Sequence, residues 1–366
     1  MQQIHLIAAA RPNFMKVAPL YHALRKESWC NTSIVHTGQH YDYNMSASFF
    51  RDLKLPAPDF HLEVGSGSHA EQTGKVMIEY EKVAIANRPN WIVVAGDVNS
   101  TLACALVGTK LGVPVVHLEA GLRSGDRSMP EEINRLATDA IADVLWTPSA
   151  DADENLLREN VAPDKIDRVG NFMIDSYEML REVIDASGCV GRLGLDAQGF
   201  AVVTLHRPSN VDSAQSLGSL IEQLVAVSNA LPIVFAVHPR TRKRLDEFGL
   251  TAKLKDRPRI VLTEPLGYIE FMNLVSNAAV VVTDSGGVQE ETTYLQIPCL
   301  TLRTTTERPI TVDEGSNRLV RTEELAGALE GVIAGRHPRG RRPQLWDGKA
   351  ASRAVVALKR RAGVVR

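Results

Sequence analysis

Short apolar runs alternate along the whole chain with longer amphipathic segments. The apolar runs are rich in Val and Ile, carry few charges and predict buried strands, at residues 4–9, 32–36, 91–95, 113–118, 144–147, 166–169, 201–205, 233–237, 260–262, 279–283 and 299–302. Helical periodicity fills the intervals, clearest at residues 99–111, 130–141, 213–231 and 288–295. Strands and helices alternating at this spacing predict an α/β protein with parallel sheets.

The alternation restarts after Gly170 and Asn171, and a second series of strands opens at residue 201. We therefore predict two doubly wound, Rossmann-like domains of similar size, at residues 1–170 and 171–345. Ligands of such folds bind at the carboxyl ends of the strands, and between two domains that means an interdomain cleft. The residues directly after each strand are thus the first candidates for function.

Composition places the chain among ordinary globular proteins and excludes several classes. Of 366 residues, 44% are hydrophobic and 23% are charged. The four cysteines show no paired spacing, which argues against a disulfide framework or a zinc knuckle and favours reduced thiols in a cytoplasmic protein. No apolar run is long enough for a membrane span, and the N-terminus lacks the features of a signal peptide.

The net charge of -2 argues against a dedicated nucleic-acid binder, but it conceals an uneven distribution. Residues 336–366 contain ten basic residues and one acid, a local net charge of +9, which leaves -11 on the rest of the chain. Within this tail, Ala351, Val355 and Leu358 have the spacing of one helix face. We predict that residues 346–366 form a C-terminal helix that crosses back to the first domain, with its cations facing solvent or acidic residues.

Ionisable residues follow the predicted strands of the first half. Arg11 and Lys16 come after the first strand, where they can bind phosphate oxygens, although two solvated charges would explain them as well. Asp97 follows the strand at 91–95, where an Asp usually caps a helix. His117 and Glu119 fall on one face of a strand by its period of two. Because a buried Glu is costly unless it is paired, Glu119 is the stronger candidate.

The helix predicted at 130–141 begins with proline and carries Glu131 in its first turn, four residues before Arg135. Helix architecture alone accounts for this arrangement. The carboxylates at 97, 119 and 131 nevertheless follow successive strands and can converge. No third ligand at a recognised spacing points to a metal site.

The second half supplies hydrogen-bond donors after its strands. His206 and Arg207 follow the strand at 201–205, and His238 follows the next one. Residues 283–291 have the pattern of a strand, a glycine turn and a helix, in which two glycines let the backbone approach an anion at the helix start. A purely structural turn explains that segment equally well. Neither G-x-G-x-x-G nor a P-loop occurs, which disfavours a dinucleotide or P-loop site.

Taken together, these segments resemble the non-hydrolysing UDP-N-acetylglucosamine 2-epimerase family. The segments that match in order are 11–16, 37–40, 96–101, 117–123, 130–135, 169–171, 204–210, 283–291 and 305–309. The resemblance covers most of the chain and leaves out mainly the basic tail. It implies the two-domain, GT-B-like fold shared with a large class of glycosyltransferases, no metal or other cofactor, a UDP-sugar substrate and usually a homodimer.

The resemblance also implies roles for individual residues. It makes Asp97, Glu119 and Glu131 catalytic carboxylates, with Lys16 and Arg135 nearby. It assigns UDP binding to a set of residues in the second half: His206, His238, Phe271, Ser285, Gly286, Gly287, Glu291 and Arg308. Arg11 of the first half supports them, and His206 counts among the catalytic residues as well.

The implied reaction is reversible epimerisation at C2 of UDP-N-acetylglucosamine to UDP-N-acetylmannosamine, a precursor of surface polysaccharides. UDP would leave C1 as C2 loses its proton, giving a 2-acetamidoglycal, and would add back after protonation from the other face. Cations and helix-start N–H groups would stabilise the leaving diphosphate, and carboxylates would act as base and acid.

Two departures from the family pattern concern a regulatory UDP-sugar site. Gln39 and His40 match its first half, but residues 41–42 do not, and Glu71 stands where many bacterial members have Arg. We therefore do not expect activation by the substrate. The stretch at 65–73 instead resembles a subgroup that includes epimerases of 2,3-diacetamido uronic-acid sugars.

Three other functions stay open at this point. The first is the same chemistry on a UDP-2,3-diacetamido uronic-acid sugar. The second is a glycosyltransferase with a UDP-sugar donor, and the third is a UDP-sugar-binding protein without turnover. The last is disfavoured because all three carboxylates are present.

Overall fold

The first half of the chain forms a parallel sheet whose strand order is β3-β2-β1-β4-β5-β6-β7. The computed structural model describes residues 1–9, 11–38 and 50–364, with Arg11 and Pro12 described by their backbone alone. The strands are β1 (Gln2–Ala8), β2 (Cys30–His36), β3 (Phe60–His61), β4 (Trp91–Ala95), β5 (Val115–Leu118), β6 (Val144–Thr147) and β7 (Ile166–Arg168). The order reverses beside β1, which is the doubly wound topology.

A second parallel sheet has the order β10-β9-β8-β11-β12-β13. Its strands are β8 (Ala201–Thr204), β9 (Ile233–Ala236), β10 (Ile260–Thr263), β11 (Val280–Thr283), β12 (Cys299–Thr301) and β13 (Asn317–Leu319). The three valines of β11 are fully buried, as expected for a strand that helices cover on both faces. Two sheets of this kind confirm the predicted fold class.

Helices connect the strands. They are α1 (Arg11–Leu24), α2 (His69–Ala86), α3 (Asn99–Lys110), α4 (Pro130–Ile141), α5 (Ala150–Arg158), α6 (Phe172–Asp185), α7 (Cys189–Arg192), α8 (Pro208–Val211), α9 (Ala214–Ser228), α10 (Pro239–Glu247), α11 (Thr251–Lys255), α12 (Tyr268–Ser276), α13 (Gly286–Leu295), α14 (Ile310–Asp313), α15 (Leu325–Ile333) and α16 (Ala350–Arg361). Among the described residues, none of these helices combines the length and the hydropathy that a bilayer crossing demands.

The chain divides into two compact units. The first contains residues 1–179 and 344–366, and the second contains residues 180–343. The C-terminal helix α16 packs on α1 within the first unit and buries Ala351, Val355 and Leu358, the face that its sequence indicates. Its last turn pairs Lys359 with Glu27 at 3.2 Å and places two further arginines around Asp167. The last turn of α16 thus faces acidic residues of its own unit.

Short strands are where the sequence pattern fails. Residues 60–61 and 317–319 are strands in the structure although no apolar run marks them. Their pairing comes from the neighbouring strand, since β3 pairs with β2 and β13 pairs with β12. A strand of two or three residues depends on such a neighbour more than on its own side chains.

Candidate active site

The turn after β4 carries Asp97. Its Gly96 has a φ of +68°, a backbone conformation that favours glycine, and a Cβ there would lie 3.2 Å from the Lys16 ammonium. The carboxylate of Asp97 forms an ion pair with Arg135 of α4, whose side chain is buried. The structure therefore holds Asp97 by its side chain rather than using it as a helix cap.

Glu119 lies directly beyond β5 and is buried. Its φ of +73° is unusual for a residue with a side chain, and its N–H donates to the carbonyl of Trp146 at 3.1 Å. The carboxylate pairs with the buried ammonium of Lys16. The sequence pattern predicts that Glu119 shares a strand face with His117, but β5 ends at Leu118 and the left-handed backbone of Glu119 departs from strand geometry.

Lys16 and Glu119 also line a small pocket together with Pro148 and residues 170–173. The same pair lies against Gly96, since a Cβ on that glycine would be 3.5 Å from a Glu119 oxygen. The structure thus brings Asp97, Glu119 and their two cations to the carboxyl ends of β4 and β5, as the sequence predicts for residues after these strands.

Glu131 is exposed on the first turn of α4, and the predicted pair between Glu131 and Arg135 is wrong. Arg135 instead pairs with the buried Glu132 at 2.8 Å. Glu132 also accepts hydrogen bonds from the N–H groups of Ser124 and Gly125 at 3.0 and 2.9 Å. Burial opposes its charge, but these bonds and Arg135 hold the pKa of Glu132 below its usual value. Sequence reasoning missed this residue, because both i,i+3 and i,i+4 spacings fit a helix.

In the second unit, Asp284 after β11 anchors the segment that carries His206. The fully buried carboxylate accepts the backbone N–H of His206 at 3.1 Å and that of Arg207 at 2.9 Å, together with the amide of Asn210 at 3.0 Å. The Nδ1 atom of His206 lies 2.8 Å from the same carboxylate. Burial opposes ionisation, but these donors, His206 first, lower the pKa of Asp284.

Ser285 is the N-cap of α13, and Gly286 and Gly287 form its first turn. A Cβ on Gly286 would lie 2.6 Å from both the guanidinium of Arg308 and the carboxylate of Glu307, so side chains behind the turn require this glycine. Arg308 is buried and pairs with Glu307 and, at 3.0 Å, with Glu290. Although burial opposes its ionisation, Arg308 and Arg303 hold the pKa of Glu307 well below its usual range.

The remaining predicted residues of the second unit lie on neighbouring elements. Glu291 is buried and accepts a hydrogen bond from the Tyr268 hydroxyl at 2.8 Å. Phe271 is half-buried on α12, one turn beyond Tyr268. His238 caps α10 through Nδ1, and its ring centroid lies 5.4 Å from that of His206.

Some predicted features fall outside the described residues, among them the side chain of Arg11 and residues 39–42. Glu71 is described, and it has a structural role. It forms a reciprocal capping box with Ser68 at the start of α2, in which its carboxylate accepts the Ser68 N–H at 2.9 Å. Across the described ranges 1–9, 11–38 and 50–364, no three His, Cys, Asp or Glu side chains gather in a way that could hold a metal ion.

Comparison with known proteins gives a consistent family. Residues 22–359 match the family model described as UDP-N-acetylglucosamine 2-epimerase. The chain is 43% identical to the UDP-N-acetylglucosamine 2-epimerase of Methanocaldococcus jannaschii, over 97% of this chain and 98% of the relative. It is 40% identical to the UDP-2,3-diacetamido-2,3-dideoxy-D-glucuronate 2-epimerase of Pseudomonas aeruginosa, over 87% and 88%.

A solved structure agrees with these sequence relatives. The crystal structure of the M. jannaschii UDP-GlcNAc 2-epimerase in complex with UDP-GlcNAc and UDP superposes with a TM-score of 0.89 at 42% identity, covering 98% of this chain and 99% of the other.

Proposed function

Because the chain belongs to the UDP-N-acetylglucosamine 2-epimerase family and is therefore an isomerase, we propose that it reversibly inverts C2 of UDP-N-acetylglucosamine to give UDP-N-acetylmannosamine. The observation that carries this proposal is the pair of carboxylates, Asp97 and Glu119, each held by a cation at the carboxyl ends of β4 and β5. In the proposal the first unit handles the sugar and the second unit binds UDP.

The reaction balances as an elimination followed by an addition. A carboxylate takes the proton from C2, the electron pair of that C–H bond forms the C1=C2 double bond, and the bond from C1 to the diphosphate oxygen breaks with its electron pair leaving on UDP. UDP then adds back to C1 while a proton is delivered to C2 from the opposite face. Inversion therefore requires proton carriers on two faces of the sugar, or a rotated intermediate.

Asp97 and Glu119 are suited to the two proton transfers, because an ionised carboxylate accepts the C2 proton as a base and a protonated carboxyl delivers one as an acid. The exposed Glu131 is the third candidate for a proton carrier. Lys16 holds Glu119 in place and Arg135 holds Asp97. Both cations also add positive charge where negative charge develops in the reaction.

In the second unit, the start of α13 is proposed to bind the diphosphate. Within the described residues, the Ser285 side chain makes no capping hydrogen bond to α13, so the first N–H groups are not used by this cap. His206 lies on the segment that Asp284 ties to this turn and can donate to a phosphate oxygen. Arg308 contributes its charge from behind Gly286, Glu291 is proposed to bind the ribose hydroxyls, and Phe271 to lie beside the uracil.

A second candidate substrate is a UDP-2,3-diacetamido uronic-acid sugar. Two observations favour it: the 65–73 stretch resembles that subgroup, and a relative named for this activity is 40% identical. Both substrates undergo the same chemistry at C2, so the carboxylates do not distinguish them. A glycosyltransferase activity is the less favoured alternative.

Proton exchange at C2 tests these proposals together. We would incubate the protein with UDP-N-acetylglucosamine in D2O, and in parallel with the uronic-acid sugar, and follow both by NMR. The expected result is deuterium at C2 and the manno product from one of the two sugars. If both exchange and product are absent with both sugars, the epimerase proposal is ruled out. Acceptor-dependent transfer without exchange would indicate a glycosyltransferase.

We also propose a homodimer in the cytoplasm. The dimer rests on the family resemblance, and sedimentation equilibrium would test it. The compartment rests on the cysteines, since all four are free and buried. Fractionation of cells would test the cytoplasmic location.

A further inference from the structure

Three successive backbone carbonyls, those of residues 95–97, are each bound by a side chain from a different element. Asn13 of α1 donates to the first at 2.8 Å, His117 of β5 to the second at 2.8 Å, and Asn134 of α4 to the third at 2.9 Å. The position of this turn, which carries Asp97, is therefore fixed from three sides.

His117 differs from the two amides because its ring is fully buried and both of its nitrogens face acceptors. Nε2 lies 2.8 Å from the carbonyl oxygen of Gly96, and Nδ1 lies 2.5 Å from the carboxylate of Asp139. A carbonyl oxygen can only accept a hydrogen bond, and so can an ionised carboxylate. Nε2 therefore carries a hydrogen and donates it to the Gly96 carbonyl, while Nδ1 is directed at the Asp139 carboxylate.

Asp139 is held in its ionised form. Its second oxygen accepts the N–H of Gly121 at 3.0 Å and pairs with Arg123 at 2.7 Å. Burial opposes the charge, but His117 and Arg123 together hold the pKa of Asp139 below its usual value. Arg123 in turn pairs with Glu159 at 2.6 Å. A chain of ion pairs and hydrogen bonds thus runs from the exposed Glu159 to the buried His117 ring.

We infer that His117 is a positioning residue, whose Nε2–H fixes the Gly96 carbonyl and thereby the location of the Asp97 carboxylate. The inference rests on the proposed function, because it gives Asp97 a part in turnover. Because glycine has no Cβ, the Gly96 carbonyl can reorient once the bond from His117 is gone, even though the carbonyls of residues 95 and 97 keep theirs. A displacement of about 1 Å at a reacting group costs on the order of 100-fold in rate.

Two substitutions separate the hydrogen bond from simple packing. His117→Leu introduces an apolar side chain of similar size and removes the hydrogen-bond donor. His117→Gln offers an amide N–H near the position of Nε2. We expect His117→Leu to lower kcat by roughly 10- to 100-fold, while KM and the Kd of UDP change by less than about twofold. We expect His117→Gln to regain most of kcat.

Asp139→Asn is the matched control for charge. The Asn amide can turn its NH2 group towards Nδ1, so a neutral ring keeps its Nε2–H directed at Gly96. We expect kcat within about threefold of wild type. If His117→Leu does not fold, because Asp139 loses a partner, the double variant His117→Leu/Asp139→Asn removes that charge and should show the same loss of kcat.

Histidine-selective ¹⁵N NMR of the wild-type protein at pH 7 tests the ring without any activity assay. We expect Nε2 of His117 to carry a proton in the wild type and in Asp139→Asn alike. A wild-type His117 without a proton on Nε2 would overturn the donation to Gly96. This measurement stays valid if the protein shows no epimerase activity, so the two failures are distinguishable.

The kinetic outcomes decide the rest. Wild-type kcat in His117→Leu would overturn the positioning role, and so would equal losses in His117→Leu and His117→Gln. A loss in Asp139→Asn as large as that in His117→Leu would mean that the ring acts through its charge and would also overturn it. An active wild type, a slow Leu variant with unchanged KM, and recovery by Gln would establish it.

Discussion

Each unit places a histidine against a buried aspartate at its sheet, and the two pairs leave the histidine in different situations. His117 is fully buried, with one nitrogen on Asp139 and the other on a backbone carbonyl. The side chain of His206 is 37% exposed, with Nδ1 on Asp284 at 2.8 Å. In the described part of the chain, Nε2 of His206 has no hydrogen-bond partner.

Whether Nε2 already has a hydrogen-bond partner therefore decides what each His–Asp pair can do. Where it meets a carbonyl, the ring is a rigid support and has no nitrogen left for a substrate. Where it points outward, the aspartate orients the ring and sets which nitrogen carries a proton, while the other nitrogen can bind a ligand. Under the two proposals, the same two residue types thus give a support in the first unit and a group that binds the diphosphate in the second.

The largest effect on turnover should come from removing the Asp97 carboxylate, the group that the His117–Asp139 pair is proposed to support. Asp97→Asn keeps the shape of the side chain but removes a proton carrier, so we expect turnover to fall by roughly 1000-fold or more. UDP affinity should stay within about twofold, since UDP is proposed to bind the second unit. C2 exchange in D2O and calorimetry with UDP measure the two quantities.

Asp164→Asn, on an exposed turn of the same unit, is the control and should behave as wild type. Normal exchange in Asp97→Asn would mean that the first pair does not support a catalytic group.

The second pair is tested by removing only the outward nitrogen. In His206→Asn the amide can still donate to Asp284, but nothing replaces Nε2, so we expect kcat/KM to fall about 100-fold and UDP to bind more weakly. His206→Gln, which extends an amide outward, should lose less. Kinetics and UDP calorimetry are the measurements, and equal values for the Asn variant and the wild type would contradict a binding role for His206.

A smaller effect is expected from the turn beside the second pair. Gly286→Ala places a methyl group 2.6 Å from Arg308 and Glu307, which are buried and paired, so the start of α13 must shift. We expect UDP to bind roughly tenfold more weakly, as overpacking costs on the order of 1–3 kcal/mol. Gly327→Ala in α15 is the matched control, because nothing lies within 4 Å of a Cβ there. Equal UDP affinity in both variants would show that the turn does not bind UDP.

Asp175 sharpens the comparison, because it is a buried aspartate with no histidine beside it. It accepts the N–H groups of Ala350 and Ala351 at 3.0 and 2.7 Å, yet burial dominates and raises its pKa from 3.8 to about 6. A raised pKa in the folded state means that its contribution to stability is full below pH 3.8 and is lost as the pH rises through 6.

The wild type should therefore lose about 1.4 kcal/mol more unfolding free energy than Asp175→Asn between pH 5 and pH 7.5. Urea unfolding at both pH values measures the difference, and groups common to the two proteins cancel. Parallel pH profiles would show that Asp175 does not titrate in this range, and that a helix N-terminus can replace a histidine partner.

Much of the fold follows from local pattern. The strands at 91–95 and 144–147 and the helix at 130–141 have the predicted bounds, because apolar runs and an N-terminal proline act over a few residues. The site is harder to predict, since its partners are distant in sequence. The sequence shows that a buried Glu119 needs a partner, but the partner, Lys16, is 103 residues away.

The support around Asp97 could not be predicted for a related reason. Asn13, His117 and Asn134 are separately unremarkable, and only the meeting of three elements makes them act on one turn. Likewise, the choice of Glu132 over Glu131 depends on where two loop N–H groups lie, not on helix periodicity. Signals of this kind are properties of the tertiary structure.

The return of α16 to the first unit has a consequence for synthesis. Trp346, Ala354 and Leu358 are buried in the unit whose other residues end at 179, whereas the second unit is one continuous segment, 180–343. Since a chain emerges from the ribosome N-terminus first, the second unit is the first whose entire sequence is available. The first unit, although synthesised earlier, can close its core only after the last helix has been translated.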